Sequence, residues 1–591
     1  MESASLVGAH SPALNTKCSL PSCPTKLGWI SERSKRYARK KLASNRAVRV
    51  RSEKSEGEGG FDIDRRSLLL SSSTLGLSTL TAGNALSLPF PPPDFSSCVY
   101  PTDLPTGAVV KGDCCPPYSS NTTTVDFEFP KNLPMRTRVP AHLVGEAYIK
   151  KYDAAISAMK ALPEDDPRSF TKQANVHCAY CNGAYLVGAQ KQDYAIHKCW
   201  FFAPWHRWYL YFYERILAKL INDDTFALPF WNWDTAVGMS IPPMFTNTQL
   251  SIYNENRDPC HQPPQILNLL EPTSCDDGSV KTNYAQIYTH MVSGATTPLL
   301  FHGAVYRFGD EDSDLSYGTL ETSPHNMVHA WTGSPKNTNR EDMGSLYSAG
   351  RDPLFYCHHA NVDRMWYIWN SVLGRKNIQD PDLLNSKFLF YDENKQLVQV
   401  RAGDAYDLNK LRYCYQEVDL PWLTDGRSLK KAGTLKAKPA VEKFNESPNQ
   451  LTELKGPVSV RVKRPTQKRS SKEKNEAEEV LSVEGIELDV TQSAKFGIFL
   501  NLPDADASTS LDNPHFAGSF VHFGHGKHEM KTTKTTTNRK LSYKVGITET
   551  LEDIGATEDE SIIVTLVPQA SKFQPKEPIK FTSVKISYDN K

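Results

Sequence analysis

Two groups of histidines lie in or beside the most apolar helical segments of this 591-residue chain. A buried imidazole needs a hydrogen-bond partner or a metal ion, because an unpartnered polar group in an apolar surrounding is costly. Any fold of this chain must therefore satisfy both groups. The first group is His177, His197 and His206, and the second is His325, His329 and the adjacent pair His358 and His359.

The first group surrounds the start of a buried helix. Residues 206–221 are predicted as a helix that is apolar nearly all round, and His206 opens it. His197 lies nine residues earlier, and Pro204 prevents one continuous helix between the two, so His197 can fold back from a loop. With His177 the set offers three neutral imidazoles, which suit zinc or copper. Hydrogen-bonded core histidines are the other interpretation.

The second group contains a helical pair. His325 and His329 are four residues apart, which on a helix places both imidazoles on one face. The segment HNMVH is similar to the zinc-protease pattern HExxH, but Asn326 replaces the Glu, so a hydrolase would lack its general base. Two histidine sets in one helical unit predict a dinuclear metal centre.

Composition divides the chain into segments with different roles. The first is basic and rich in serine, as in organelle transit peptides, and Arg65 and Arg66 then precede a short apolar stretch typical of a twin-arginine signal. That stretch is too short to span a membrane. The predicted segments are 1–52 (chloroplast transit peptide), 53–87 (thylakoid-lumen signal), 88–424 (catalytic unit), 425–480 (charged, flexible, protease-sensitive linker) and 481–591 (strand-rich domain).

The periodicity predicts a two-part mature protein. Segment 88–424 has its best periodic stretches at helical spacing, whereas 481–591 alternates apolar and polar residues, as strands do. We expect a mainly α catalytic domain, with long loops and a metal site in its helical core, followed by an all-β sandwich. The net charge of +1 gives no general attraction to nucleic acid.

Several long segments resemble one family. HCAYC (177–181), HKCWFFAPWHRWYLYFYERIL (197–217), FALPFWNWD (226–234), HNMVHAWTG (325–333) and DPLFYCHHANVDRMW (352–366) closely resemble the plant polyphenol oxidases, type-3 copper enzymes of the tyrosinase and catechol oxidase group. The resemblance also includes RYCYQ (412–416) and KFGIF (495–499), and it covers most of the chain.

The resemblance implies two copper ions and a set of covalent links. Of the adjacent histidines, the family's ligand is the second, which makes His358 a non-ligand. Cys181 corresponds to the family's thioether partner of a copper ligand, here His197. By sequence alone four cysteines allow three pairings. Cys260 and Cys275 lie in one loop, and whether they form a third disulfide is left undecided by the sequence. The implied ligands are His177, His197 and His206 for copper A and His325, His329 and His359 for copper B, and the implied disulfides are Cys98–Cys115 and Cys114–Cys178.

The implied activity is the oxidation of o-diphenols to o-quinones by dioxygen. Glu321 and Asn326 match the family positions that hold a water able to act as base, which would permit hydroxylation of monophenols. The family's gate phenylalanine aligns with Leu346, and Ala330 is also small, which favours a bulkier phenol. Alternatives are a specialised phenol hydroxylase of plant secondary metabolism, a hemocyanin-like dioxygen-binding protein and a dizinc hydrolase.

Two further expectations concern support and control of the centre. Asp363, four residues after His359, is predicted to hold an imidazole N–H, and Asp234 either does the same, caps a helix or pairs with an arginine. In the family the C-terminal β-domain shields the copper site and keeps the enzyme latent, so an activating protease that cuts the linker is an implied partner beside the small phenolic substrate.

Overall fold

The computed structural model describes residues 88–591 except 102–103, 106, 111–112, 190, 310–314, 433–437, 490–491, 525–540 and 569–576. The predicted targeting segments 1–52 and 53–87 lie outside the described residues. In the described part the α-helices are α1 (Glu146–Lys160), α2 (Phe170–Cys181), α3 (Phe202–Leu220), α4 (Val280–Tyr288), α5 (Pro298–His302), α6 (Asn326–Thr332), α7 (Pro353–Tyr367), α8 (Pro381–Asn385), α9 (Arg427–Ala432), α10 (Ser471–Glu476) and α11 (Thr548–Asp553).

Strands are sparse before residue 450 and dense after it. They are β1 (Thr124–Asp126), β2 (Arg136–Arg138), β3 (Leu186–Val187), β4 (Gln192–Asp193), β5 (Leu315–Tyr317), β6 (Lys387–Tyr391), β7 (Leu397–Arg401), β8 (Tyr413–Tyr415), β9 (Thr452–Leu454), β10 (Val458–Lys463), β11 (Ala477–Ile486), β12 (Ala494–Leu500), β13 (Phe516–His522), β14 (Leu541–Gly546), β15 (Ser561–Pro568), β16 (Ile579–Phe581) and β17 (Ser583–Asn590).

The centre of the first unit is the helix α3, packed against α1 and α7. It is buried along nearly its whole length, as its apolar sequence predicts. Pro204 sits in its first turn, where no intrahelical N–H donor is required. Helix α7 starts with Pro353 at its first position, and the Asp352 side chain caps it by accepting the Leu354 N–H at 2.9 Å.

The C-terminal unit is built from two four-stranded sheets. One has the order β10-β15-β12-β13 and the other β17-β11-β14-β5. Apolar side chains from both sheets, such as Ile498 and Val545, form one shared core. Strand β5 comes from the helical unit and pairs in parallel with β14, so the two units share a sheet. The prediction of an all-β domain is incomplete, because α10 and α11 also lie in this unit.

The structure also differs from the predicted extent of the linker. Strand β10 lies within 425–480, yet its Val460 and Val462 are buried and it pairs antiparallel with β15. The high charge of this segment conceals the alternation of VSVRVK, in which every second residue faces the core. No helix in the described part of the chain is long and apolar enough to cross a membrane.

Candidate metal centre

The first histidine set converges from a helix, a loop and a second helix. His177 lies on α2, His197 on the loop before α3, and His206 is the fifth residue of α3. The ring centroids of His177 and His197 are 5.4 Å apart, and those of His197 and His206 are 5.2 Å apart. The Nε2 atoms of all three are buried and have no hydrogen-bond partner among the described residues. Such orphaned nitrogens are what a metal ion would satisfy.

Backbone carbonyls orient two of these rings. His177 Nδ1 lies 2.7 Å from the Leu346 carbonyl oxygen, and His206 Nδ1 lies 2.8 Å from that of Phe202. Each Nδ1 must carry the proton to donate to a carbonyl, which leaves the lone pair of Nε2 aimed into the centre.

In the second set the ring nitrogens lie within contact distance of each other. His325 ends a π-helical turn (Glu321–His325), His329 follows one turn later on α6, and His359 comes from α7. The Nε2 atom of His359 lies 3.3 Å from that of His325 and 3.2 Å from that of His329. His329 Nδ1 lies 2.8 Å from the Met343 carbonyl oxygen, so its Nε2 presents a lone pair as well. A proton on His359 Nε2 can satisfy one of these contacts, whereas a bound cation would satisfy all three nitrogens at once.

The two sets face each other. The rings of His206 and His359 stack with centroids 4.4 Å apart, and His197 and His325 are 6.3 Å apart. His358 also lies near the second set, but its Nδ1 accepts the indole N–H of Trp233 at 3.1 Å. The short Nε2 contacts and the stacking on His206 therefore favour His359 over His358 as the third ligand.

Burial keeps the imidazoles neutral. It lowers the pKa of His177 to about 3 and that of His329 to about 4, although a carbonyl partner opposes the shift in each case. The pKa of His359 is also lowered, first by burial and then by the neighbouring His206. Neutral imidazoles at physiological pH are the form that binds metal. This donor set fits two copper ions, since imidazole suits copper and each set brings several ring nitrogens together.

Glu321 and Asn326 flank His325. The Lys198 N–H donates to the Glu321 carboxylate at 2.9 and 3.1 Å, and the Asn326 Oδ1 lies 3.0 Å from His325 Nδ1. Burial raises the pKa of Glu321 to about 8, opposed by the hydrogen bond from Lys198. The Asn326 side-chain amide donates to the Val521 carbonyl of the C-terminal unit at 2.9 Å. The pair therefore lies beside the second histidine set, and its amide contacts the other unit.

Both predicted gate residues are buried near the histidines. Leu346 contributes the carbonyl that binds His177, and Ala330 follows His329 on α6. An aromatic side chain that the sequence analysis missed also lies beside the second set: the Phe523 ring centroid is 5.8 Å from that of His329. Alternation in this region indicates a strand, but no sequence signal tells which surface the end of that strand contacts.

Cysteines surround the first histidine set. A ligand atom from each of His177, Cys181 and His197 lies within 4.8 Å of the others, so Cys181 is near the ring to which the resemblance implies a thioether. The structure contains the disulfides Cys98–Cys115, Cys114–Cys178 and Cys260–Cys275. The first two are the pairings that the resemblance implies, and the second attaches the N-terminal segment to α2 directly after His177.

The prediction that Asp363 holds an imidazole is wrong. Its carboxylate binds the guanidinium groups of Arg138 and Arg207 and accepts the hydroxyls of Tyr413 and Tyr415, and none of its hydrogen bonds in the described residues goes to a histidine. Two buried cations attract a carboxylate more strongly than a neutral ring does, and backbone carbonyls already serve the imidazoles.

Asp234 takes one of its predicted alternatives. It pairs with Arg364 at 2.9 Å and accepts N–H groups from Asn361 at 3.0 Å and Trp422 at 2.9 Å. Both aspartates thus stabilise the packing behind α7, and Asp363 also joins α7 to Arg207 of α3, the neighbour of His206.

Comparison with known proteins agrees with this geometry. Residues 167–372 match the common central domain of tyrosinase, residues 377–426 the polyphenol oxidase middle domain, and residues 450–588 the chloroplastic polyphenol oxidase C-terminal domain. The chain is 46% identical over 540 residues to the latent chloroplastic polyphenol oxidase of Prunus armeniaca, covering 89% of this chain and 88% of that protein. It is 44% identical over 539 residues to the (+)-larreatricin hydroxylase of Larrea tridentata, covering 88% and 90%.

A solved structure supports the same family assignment. The structure of latent apple tyrosinase superposes with a TM-score of 0.71 at 42% identity, covering 79% of this chain and all of that one (100%). The matches to the family models include both histidine sets, within residues 167–372, and the C-terminal strands, within residues 450–588. The chain therefore belongs to the plant polyphenol oxidases, copper-dependent phenol oxidases with a dinuclear type-3 centre that are made in a latent form.

Proposed function

We propose that the protein oxidises o-diphenols to o-quinones with dioxygen at a dicopper centre. His177, His197 and His206 would hold copper A, and His325, His329 and His359 copper B. The observation that carries the proposal is the pair of buried imidazole sets that lie against each other, with the rings of His206 and His359 stacked 4.4 Å apart and the Nε2 atoms of the first set without a partner among the described residues. Bound copper supplies the binding and reduction of dioxygen and takes up the electrons of the phenol.

Protein groups around the centre exclude water and handle protons. The Phe355 ring lies 4.2 Å from His359 and the Phe202 ring 4.7 Å from His325, so apolar walls surround the ligands. Glu321 and Asn326 would hold a water that takes the phenolic proton, and the raised pKa of the Glu321 carboxyl, which burial causes, suits a group that exchanges protons near neutral pH. This pair supports monophenol hydroxylation as a second activity.

The C-terminal unit would keep the centre closed. Phe523 lies beside His329, and backbone groups of β13 bind side chains of the helical unit. A phenol that approached His329 from the side of the C-terminal unit would meet that ring. We propose that a protease cuts in the segment 425–480 before β10 and that the C-terminal unit then leaves.

The substrate would be a phenol that carries a large substituent, because the site has room for one. Leu346, whose carbonyl binds His177, and Ala330, which follows His329, are both smaller than an aromatic side chain, and one relative is named (+)-larreatricin hydroxylase. A specialised hydroxylase of a bulkier phenol is therefore the second candidate. The relatives named chloroplastic support a chloroplast location, and the twin-arginine segment supports the thylakoid lumen within it.

The test is oxygen uptake by the copper-loaded full chain before and after limited proteolysis. We expect two copper ions per chain, little uptake with 4-methylcatechol before cleavage, and at least about a tenfold rise after it, because the covering ring is removed. Oxygen uptake with p-cresol, a monophenol, would show that the protein also hydroxylates monophenols. Metal-stripped protein is the control.

Three outcomes would contradict this function. Zinc in place of copper would favour a hydrolase. Reversible dioxygen binding without turnover would favour a hemocyanin-like protein. Equal activity before and after cleavage would show that the C-terminal unit does not shield the centre.

The thioether between Cys181 and His197 is a separate prediction. The sulfur would hold the His197 ring, which lies on a loop and whose Nδ1 and Nε2 have no hydrogen-bond partner in the described residues. We expect the mass of the peptides containing both residues to be lower than the sum of the free peptides by two hydrogen atoms after copper loading. Cys181→Ala should abolish the link and release two separate peptides. Separate peptides from the loaded wild-type protein would contradict it.

A further inference from the structure

The open edge of strand β13 is bound by side chains of the helical unit. β13 is the last strand of its sheet, and on its inner side it pairs only with β12. On its outer side the Ser519 N–H donates to His290 Nε2 at 3.2 Å, and the Val521 N–H donates to Thr322 Oγ1 at 2.7 Å. The Val521 carbonyl accepts the Asn326 side-chain amide at 2.9 Å.

These contacts follow the spacing of an extended chain. Residues 519 and 521 are two apart, so their N–H groups point to the same edge, about 7 Å from each other along the strand. Two residues further on, Phe523 places its ring beside His329, with the ring centroids 5.8 Å apart. The helical unit therefore binds the extended backbone of β13, and the aromatic ring two residues further along the same chain lies at the metal centre.

The receiving side chains lose their partners when the C-terminal unit leaves. Thr322 and His290 are fully buried here, and Asn326 is 2% exposed. A ligand that supplies the same N–H and carbonyl groups restores these hydrogen bonds, as peptides do when they add to the edge of a sheet. A small catechol cannot reach them, because it ends at the ring.

We propose that the activated enzyme binds extended peptides through Thr322 and Asn326 and oxidises a tyrosyl or 3,4-dihydroxyphenylalanyl ring placed two residues after the bound backbone. The substrate class is thus peptidyl phenols, which deepens the proposed function and rests on it for the oxidation step. In that step the dihydroxyphenyl ring loses two electrons and two protons and becomes an o-quinone, and one dioxygen accepts the four electrons and four protons of two such rings to give two waters. A tyrosyl ring instead takes up one oxygen atom of a dioxygen and loses two hydrogens, which leave with the other oxygen atom as one water, so that it becomes the same o-quinone.

Peptide binding is tested apart from oxidation. The probe is acetyl-Val-His-Phe-amide, which copies residues 521–523, and its affinity is measured by calorimetry with protease-treated protein freed of the C-terminal fragment by gel filtration. We expect saturable binding, and at least about tenfold weaker binding of the same peptide methylated on the valine nitrogen, since the donor to Thr322 is lost. Acetyl-Phe-amide, which lacks the bound residue, should bind at least as weakly.

Variants identify the acceptor. In Thr322→Val, methylation of the valine nitrogen should change the affinity less than about twofold, because the acceptor is already absent. Thr319→Val is the matched control: its hydroxyl is buried nearby without a hydrogen-bond partner in the described residues, so the methylation effect should equal that of the wild type. Equal methylation effects in Thr322→Val and wild type would overturn the proposal, and so would no binding of the unmethylated peptide.

Oxidation is then compared on two substrates. Acetyl-Val-His-(3,4-dihydroxyphenylalanine)-amide should have a higher kcat/KM than its N-methylated form, with a ratio that falls toward one in Thr322→Val. If 4-methylcatechol is not oxidised, the proposed function fails while the calorimetry still decides peptide binding. If 4-methylcatechol is oxidised but the ratio is the same in both proteins, peptide recognition by Thr322 is wrong.

Discussion

His359→Asn is expected to reduce the copper content from two ions to one per chain and to lower oxygen uptake by roughly a thousandfold, as for other groups that act as one unit. His359 Nε2 is the nitrogen that lies within 3.3 Å of both His325 and His329. Asparagine is too short to place a donor atom there. Elemental analysis measures the copper content, and an oxygen electrode measures the uptake of protease-treated protein.

The adjacent histidine is the matched control. His358→Asn keeps an acceptor near the position of Nδ1, which binds the Trp233 N–H. It should retain two copper ions and lose about 1–3 kcal/mol of stability at most. If His358→Asn instead loses one copper while His359→Asn keeps both, the ligand assignment in this pair is reversed.

Asp363→Asn should destabilise the protein by about 3–5 kcal/mol, because it leaves the buried guanidinium of Arg207 without a carboxylate and removes one of the two carboxylates that Arg138 binds, the other being Glu214 at 2.9 Å. The side chains of Arg138, Arg207 and Asp363 are at most 3% exposed. Denaturant unfolding of the metal-free protein followed by fluorescence measures the loss without a contribution from copper. Asp404→Asn is the control: its partner Arg401 is 56% exposed, so it should cost less than about 1 kcal/mol.

The effect of Asp363 should depend on pH in a defined direction. Burial alone would raise its pKa, but Arg207 and Arg138 hold the pKa below the ordinary value. The carboxylate therefore stabilises the fold fully above the unfolded pKa, and this stabilisation is lost as the pH falls through the folded pKa. The difference between wild type and Asp363→Asn should shrink below about pH 4. A difference that grows on acidification would contradict the ion-pair role.

Much of the metal centre was predictable from short-range pattern. The four-residue spacing of His325 and His329 places them on one helix face, and the structure brings these residues together with His359. Pro204 indicated that His197 precedes the helix, and it lies on that loop. These conclusions hold because one or two helical turns determine such relations, whatever the rest of the chain does.

The errors concern contacts between distant residues. Asp363 is one turn after His359, yet its partners Arg138 and Tyr413 come from β2 and β8, which only the folded chain brings to α7. The charged segment 425–480 contains β10, because pairing with β15 outweighs its composition. Phe523 is one of 25 phenylalanines, and nothing around it indicates that it faces a histidine.

The amino-acid sequence by itself determined which donor atoms are present and on which helix turns they lie, together with the family and the two-part organisation. Tertiary structure alone decided which carbonyls orient the imidazoles, which charges Asp363 joins and which strand edge covers the centre. The physical reason is range: backbone geometry relates neighbours within a turn, whereas contacts across hundreds of residues depend on how the packed elements are positioned in space.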